Sequence, residues 1–150
     1  MEIRELEYED LEEASFVLWK SFYETEKHNF SLRGMEKFRD ATGAVSLSMS
    51  LFQGEIRLFG AFEKEALCGV GAIKGESHIL LLYVLPEYFR KGFGSALLAH
   101  MLARCKGTSV RVNASDTAVP FYEKYGFAKV GERREEEDFI FTPMEKLLKD

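Results

Sequence analysis

The stretch Leu85-Pro86-Glu87-Tyr88-Phe89-Arg90-Lys91-Gly92-Phe93-Gly94-Ser95 sets a proline stop, two basic side chains and two glycines directly ahead of an amphipathic run. That order suits an anion. The first amides of a helix lack internal acceptors, aligned peptide dipoles add about half a positive charge, and glycines let phosphate oxygens approach the backbone. A phosphorylated ligand is the expected occupant. Gly92 and Gly94 would equally serve a tight turn and close helix contact with no ligand, and glycine spacing alone leaves both readings open. Two other phosphate motifs are excluded. Gly92-Phe93-Gly94 begins a Gly-x-Gly-x-x-Gly fingerprint, but Leu97 occupies its third glycine position. The loop also follows antiparallel-type strands late in the chain, where that fingerprint follows the first strand of a parallel sheet. Neither Gly-Lys-Ser nor Gly-Lys-Thr occurs.

The elements around this loop follow from periodicity. Residues 2–7 predict a first strand, and Asp10 with Glu13 has capping-box spacing for a helix carrying Leu11, Ala14, Val17, Leu18 and Phe22 on one face. The pattern then loosens to residue 53. Residues 31–34 read as a break, residues 35–40 as a short helix and residues 44–52 as another. Residues 57–63 and 66–74 predict strands joined at Lys64-Glu65, with Gly69 and Gly71 keeping the second thin or bulged. Residues 78–85 are apolar on both faces, which predicts a central strand covered on each side and ended by Pro86. Residues 92–106 form a helical face of Phe93, Leu97, Leu98, Met101, Leu102 and Cys105, closed by Gly107. Residues 108–113 predict a strand parallel to 78–85, because a helix connects the two. Ser115 or Asp116 could cap a short helix containing Pro120, and residues 127–135 and 138–145 predict a closing strand pair.

Composition narrows the class. With 150 residues, 46% hydrophobic and thirteen Phe, the chain predicts one domain over residues 1–150. A formal charge of −5 opposes a phosphate backbone and argues against nucleic acid as partner. Cys68 and Cys105 lack ligand spacing and read as buried free thiols, which excludes a disulfide framework and a metal site. The start, Met1-Glu2-Ile3-Arg4-Glu5, lacks a basic stretch leading into an apolar core, and the run 79–85 is too short to span a bilayer. No membrane association and a cytoplasmic location are expected. A homodimer is compatible with all of this.

Two motifs together carry a resemblance. Val84-Leu85-Pro86 followed by Phe89-Arg90-Lys91-Gly92-Phe93-Gly94 resembles the central motif of the GNAT superfamily of acyl-CoA-dependent N-acetyltransferases. Asn113, then Ala118-Val119-Pro120-Phe121-Tyr122-Glu123-Lys124-Tyr125-Gly126-Phe127, is similar to the family's next motif. Phe89 departs from the pattern, standing where Arg or Gln is usual. The resemblance implies an α/β fold with a central mixed sheet of roughly six to seven strands and helices on both faces. It implies acetyl-CoA as cosubstrate, its pyrophosphate held by the amides of Arg90, Lys91, Gly92, Phe93, Gly94 and Ser95. The backbone of Leu82 and Val84 would pair with the pantetheine arm as a strand pairs with a sheet edge, and Asn113 would sit where two parallel strands splay.

Amide formation needs a neutral amine, and deprotonating one of pKa about 10.4 at neutral pH costs roughly 4 to 5 kcal/mol. The leaving thiolate gains from a proton donor within hydrogen-bond reach. By resemblance Tyr122 is the general acid and His78, opening the thioester-bearing strand, the general base, with Glu76 or ordered water as alternatives. Ser95 reads as a helix-start residue, and His28 and His100 as surface groups. Residues 22–52 should wall the acceptor pocket with Phe22, Tyr23, Glu24, Glu26, Phe30 and Phe52. These point to a small-molecule amine or an amino-terminal group drawn by carboxylates and held by rings, although Glu24 and Glu26 read slightly better as solvated helix charges. Modification of a protein lysine or N-terminus, and noncatalytic acyl-CoA sensing, are the other functional classes.

Overall fold

A computed structural model describes residues 1–148. Its strands are β1 (Glu2–Glu5), β2 (Ile56–Glu63), β3 (Ala66–Lys74), β4 (His78–Val84), β5 (Ser109–Ala114), β6 (Ala128–Lys129), β7 (Arg134–Glu136) and β8 (Phe139–Leu147). They order as β1-β2-β3-β4-β5-β8-β6, with β7 also paired to β8. Among the described residues only β4 and β5 run parallel; every other pairing is antiparallel. The expected mixed sheet with helices on both faces is present, and among the described residues it has eight strands where six or seven are expected. The extra strand has a physical origin. Val130 still donates its amide to the Pro143 carbonyl at 2.9 Å, but Pro143 in β8 has no amide hydrogen to return, and residues 131–133 leave the ladder, so the expected strand 127–135 divides into β6 and β7.

One face carries α1 (Leu11–Glu26), α2 (Leu32–Ala41) and α3 (Ala44–Phe52); the other carries α4 (Phe93–Leu102) and α5 (Val119–Lys124). In α1 the expected stripe is buried, and the helix runs one turn further, so Glu26 continues the spacing Leu18, Phe22 inward. Residues 31–34 do not break the chain: Ser31 caps α2 by accepting from the Gly34 amide at 3.0 Å. Gly34 fits there because a Cβ would stand 2.5 Å from the Asp138 carbonyl oxygen. α4 ends at Leu102, sooner than expected, with Gly107 in the following loop. Among the described residues no helix is long and apolar enough to cross a membrane.

Asp10 does not form the expected capping box with Glu13. Its carboxylate instead takes Arg4 Nη1 and Nη2 at 3.0 and 3.1 Å and the Glu7 amide at 2.8 Å, locking β1 to the start of α1. The Arg4 guanidinium, helped by that amide, holds the Asp10 carboxyl below the usual carboxylate range. A carboxyl lowered by folding stabilises above its unfolded pKa of about 3.9, and that contribution disappears as pH falls through the lower folded value. Asp10→Asn should therefore cost about 0.2 to 1 kcal/mol at pH 7 and progressively less as the pH is lowered toward 2, measured by urea unfolding at both. An equal gap at both pH values would show that the pair contributes nothing ionic.

Candidate active site

Parallel pairing between β4 and β5 lasts only two registers, His78 with Arg111 and Ile79 with Val112. Beyond Ile79 the strands part. The edge of β4 facing β5 is thereby left without a partner strand, and β4 is central but not covered on each side as its apolarity suggested. Leu80 is exposed, and Leu81, Leu82, Tyr83 and Val84 are only half-buried. The opening is a cleft of about 760 Å³, walled by Leu82 and Val84 of β4, the loop before α4, and Phe121 and Tyr122 of α5.

The loop is built to present donors. Arg90 (φ 62°) and Gly92 (φ 86°) both adopt left-handed backbone, and Gly92 is the N-cap of α4. The Phe89 amide bonds the Pro86 carbonyl at 3.1 Å, and the Ala96 amide bonds the Gly92 carbonyl at 3.0 Å. Among the described residues, the amides of residues 90–95 between them have no backbone or side-chain acceptor. Six consecutive unspent donors at a helix start form a nest for an anion. Phe89 is exposed, leaving this work to backbone groups and to Arg90.

Tyr122 is buried at the inner end of the cleft, against Phe121 and Phe127. Burial pushes its phenol well above the ordinary tyrosine range, so the hydroxyl keeps its proton. Tyr83, which the sequence reading passed over, forms part of the cleft and also of a second cavity of about 400 Å³. Burial, then the neighbouring Glu26 and Tyr122, keeps its phenol protonated too. The second cavity is lined by Phe22, Phe30, Phe38, Leu80, Phe139 and Phe141, with Ser115 and Tyr83 shared between the two spaces.

Of the sequence-predicted residues, Leu82, Val84, Arg90, Gly92, Phe93, Gly94, Ser95 and Tyr122 meet at the cleft. Three do not. Lys91 turns out toward Tyr88, its Nζ 5.6 Å from that ring centroid. Asn113 lines the second cavity, because on β5 the inward positions are Val110, Val112 and Ala114. His78 lines neither space: it starts β4 beside Lys74 and Arg111 at the closed end of the splay, and burial followed by those two cations lowers its pKa. Glu76 is exposed and also apart from the cleft. The Ser95 hydroxyl donates to the Gly92 carbonyl at 3.2 Å, in keeping with a helix-start role. Neither Ser115 nor Asp116 caps α5; Asp116 accepts Arg133 at 2.8 and 2.9 Å instead.

Glu26, for which the spacing allows both an acceptor-pocket carboxylate and a solvated helix charge, is 1% exposed and lines the cleft. Thr117 Oγ1 donates to its Oε2. The available signal was its place four residues after Phe22 on the buried stripe. Tyr23, Glu24 and Phe52, also expected near the acceptor, are exposed and border neither space. Cys68 is buried and Cys105 half-buried, both as free thiols. His28 is exposed, whereas His100 is half-buried with its ring centroid 5.4 Å from that of Phe59.

The model of the acetyltransferase (GNAT) domain family matches residues 26–148. The uncharacterized N-acetyltransferase YafP of Escherichia coli (strain K12) is 44% identical over 61 residues, a stretch that is 41% of this chain and 39% of that protein's length. PaiA N-acetyltransferase from Thermoplasma acidophilum, solved in complex with coenzyme A, superposes with a TM-score of 0.78 at 27% identity over 98% of both chains. A structure described as a GCN5-related N-acetyltransferase, aminotransferase class-II, from Rhodopseudomonas palustris gives a TM-score of 0.86 at 22% identity, covering 98% of this chain and 95% of that one.

Proposed function

This chain belongs to the GNAT acetyltransferase family, and on that premise we propose that residues 1–150 form one N-acetyltransferase domain moving an acetyl group from acetyl-CoA directly to a primary amine of a small molecule. The observation that carries the cofactor half is the row of unspent amides at residues 90–95, facing a cleft that ends at Tyr122. These amides, with Arg90 beside them, bind the pyrophosphate; Lys91 contributes only long-range attraction from the rim. The unpaired edge of β4 at Leu82 and Val84 receives the pantetheine arm, which brings the thioester to the point where β4 and β5 part. A small molecule is favoured as acceptor because the second cavity, about 400 Å³ with mainly apolar walls, is of ligand size. Asn113 borders that acceptor space.

The chemistry needs no covalent enzyme intermediate. The amine nitrogen, once neutral, attacks the thioester carbon; the carbon–sulfur bond breaks; the nitrogen gives up one of its two protons as the amide forms; and the sulfur is protonated. Tyr122 is the donor to that sulfur. Its phenol stays protonated across the neutral range, and hydrogen bonding to the developing thiolate lowers the barrier without prior ionisation. His78 borders neither space and lies between Lys74 and Arg111, so the base role is not given to it.

Isothermal titration of the purified protein with coenzyme A should give one site with a micromolar or tighter Kd, and amine panels with acetyl-CoA should release thiol. Absence of heat together with absence of thiol release would overturn the reading; coenzyme A binding without turnover on any amine would point to a sensor.

A further inference from the structure

We propose that Glu26 grips the acceptor's ammonium group and takes its proton, and that the acceptor is a cationic amine on an aromatic or branched apolar body, without a carboxylate. The inference rests on the acetyltransfer reading above and goes beyond it in assigning the base and the substrate class.

A buried carboxylate is costly unless its oxygens are satisfied and its charge is compensated. Glu26 has the Thr117 hydroxyl on one oxygen and the Asn29 side-chain amide at 3.4 Å on the other. Among the described residues no lysine, arginine or histidine forms an ion pair with it. Among the described residues it is the one carboxylate bordering the cleft, and no histidine borders either cavity. The groups facing it are the neutral phenols of Tyr83 on β4 and Tyr122 on α5, with Lys124 and Arg90 elsewhere on the cleft wall. An ammonium arriving at this point supplies the missing counter-charge.

The route of arrival is the second cavity. Phe22, one turn before Glu26 on α1, is in its wall, and Ser115, shared by both spaces, contacts Thr117 at 3.2 Å between the two hydroxyl oxygens. Aromatic walls favour a ring or branched chain, and Glu136 and Glu137 at the edge repel an anion while attracting a cation. The proton balance closes: Glu26 accepts the ammonium proton before attack and passes it to solvent, Tyr122 gives its proton to the sulfur, and the proton that the nitrogen sheds as the amide forms returns to Tyr122 through solvent.

Steady-state acetylation should be compared for phenethylamine, 3-methylbutylamine, glycine and phenylalanine, with thiol release as readout. Wild-type protein is expected to favour phenethylamine over phenylalanine by more than tenfold in kcat/KM. Glu26→Gln keeps the Thr117 bond and should lower kcat/KM for phenethylamine by about 100-fold, with coenzyme A affinity unchanged. Its rate should rise with pH where the parent has levelled off, and Glu26→Asp should restore part of the activity. Wild-type kinetics and pH profile in Glu26→Gln, or equal use of phenylalanine, would overturn the proposal while leaving acetyltransfer intact. A wild-type protein that binds no coenzyme A would overturn the acetyltransfer reading itself.

Discussion

Tyr122→Phe should bind coenzyme A as tightly as the parent while kcat falls by about 10² to 10⁴-fold, the range for losing a positioned proton donor. That corresponds to about 2.7 to 5.4 kcal/mol of barrier. The stability cost should be small. Among the described residues nothing hydrogen-bonds the Tyr122 hydroxyl, so its removal orphans no buried partner, and Phe retains the ring contacts to Phe121 and Phe127. The phenol's upward shift also sets a pH expectation: the parent should show no alkaline loss of kcat from this group below about pH 10, the ordinary tyrosine value. Single-turnover kinetics with saturating acetyl-CoA would check both. Unchanged turnover at every pH would remove the acid role, and an equal fall in coenzyme A affinity would mean the hydroxyl mainly binds the ligand.

The second large effect belongs to the loop. Gly92 sits at φ 86°, a conformation a β-branched side chain does not accept without strain. In Gly92→Val either the loop is retained at a cost of about 1 to 3 kcal/mol in stability, or the backbone turns over and the amides point away from the cleft. Both routes weaken the anion site, and coenzyme A affinity should fall by more than about tenfold, or 1.4 kcal/mol. Once saturated, the variant should retain most of its kcat, since Tyr122 and the splay of β4 and β5 lie elsewhere. Arg90→Gly is the informative partner. Arg90 holds φ 62° despite carrying a Cβ, so glycine relieves strain there while removing a cation from the rim. If backbone amides do the binding, Arg90→Gly loses only a few-fold in affinity; if it loses as much as Gly92→Val, the side chain and not the loop backbone holds the anion.

The elements whose content is local were readable from residue spacing. The stripe Leu11, Ala14, Val17, Leu18, Phe22 marks a helix because 3.6 residues per turn bring those positions to one face. β3 runs over Ala66–Lys74 as its apolar pattern requires. The row 85–95 suits an anion because strand, turn, glycine and helix start are contiguous and the first amides of a helix lack internal acceptors, while glycine spacing alone suits a ligand-free turn equally. Where readings failed, a distant neighbour was the reason. The division of the closing strand follows from Pro143, more than seven positions beyond the residues that leave the ladder. Gly34 looked like a breaker until the Asp138 carbonyl lay against it.

What residue spacing by itself determined, then, is the buried stripe of α1, the strand spans and the placement of Tyr122 on a short helix after a strand, each of which depends on hydrogen bonds or burial within a few residues; the donor row at residues 90–95 and the mixed sheet with helices on both faces are what the two-motif resemblance implies. Only the tertiary structure decided that β4 and β5 separate after two registers, that His78 stays at the closed end, and that Glu26 meets Thr117 across 91 residues of chain. The reason is that spacing specifies which face a side chain takes on its own element, whereas the company it keeps depends on strand order. That order alone brings the Glu26 carboxylate of α1 beside Thr117 in the loop after β5, where it lines the cleft.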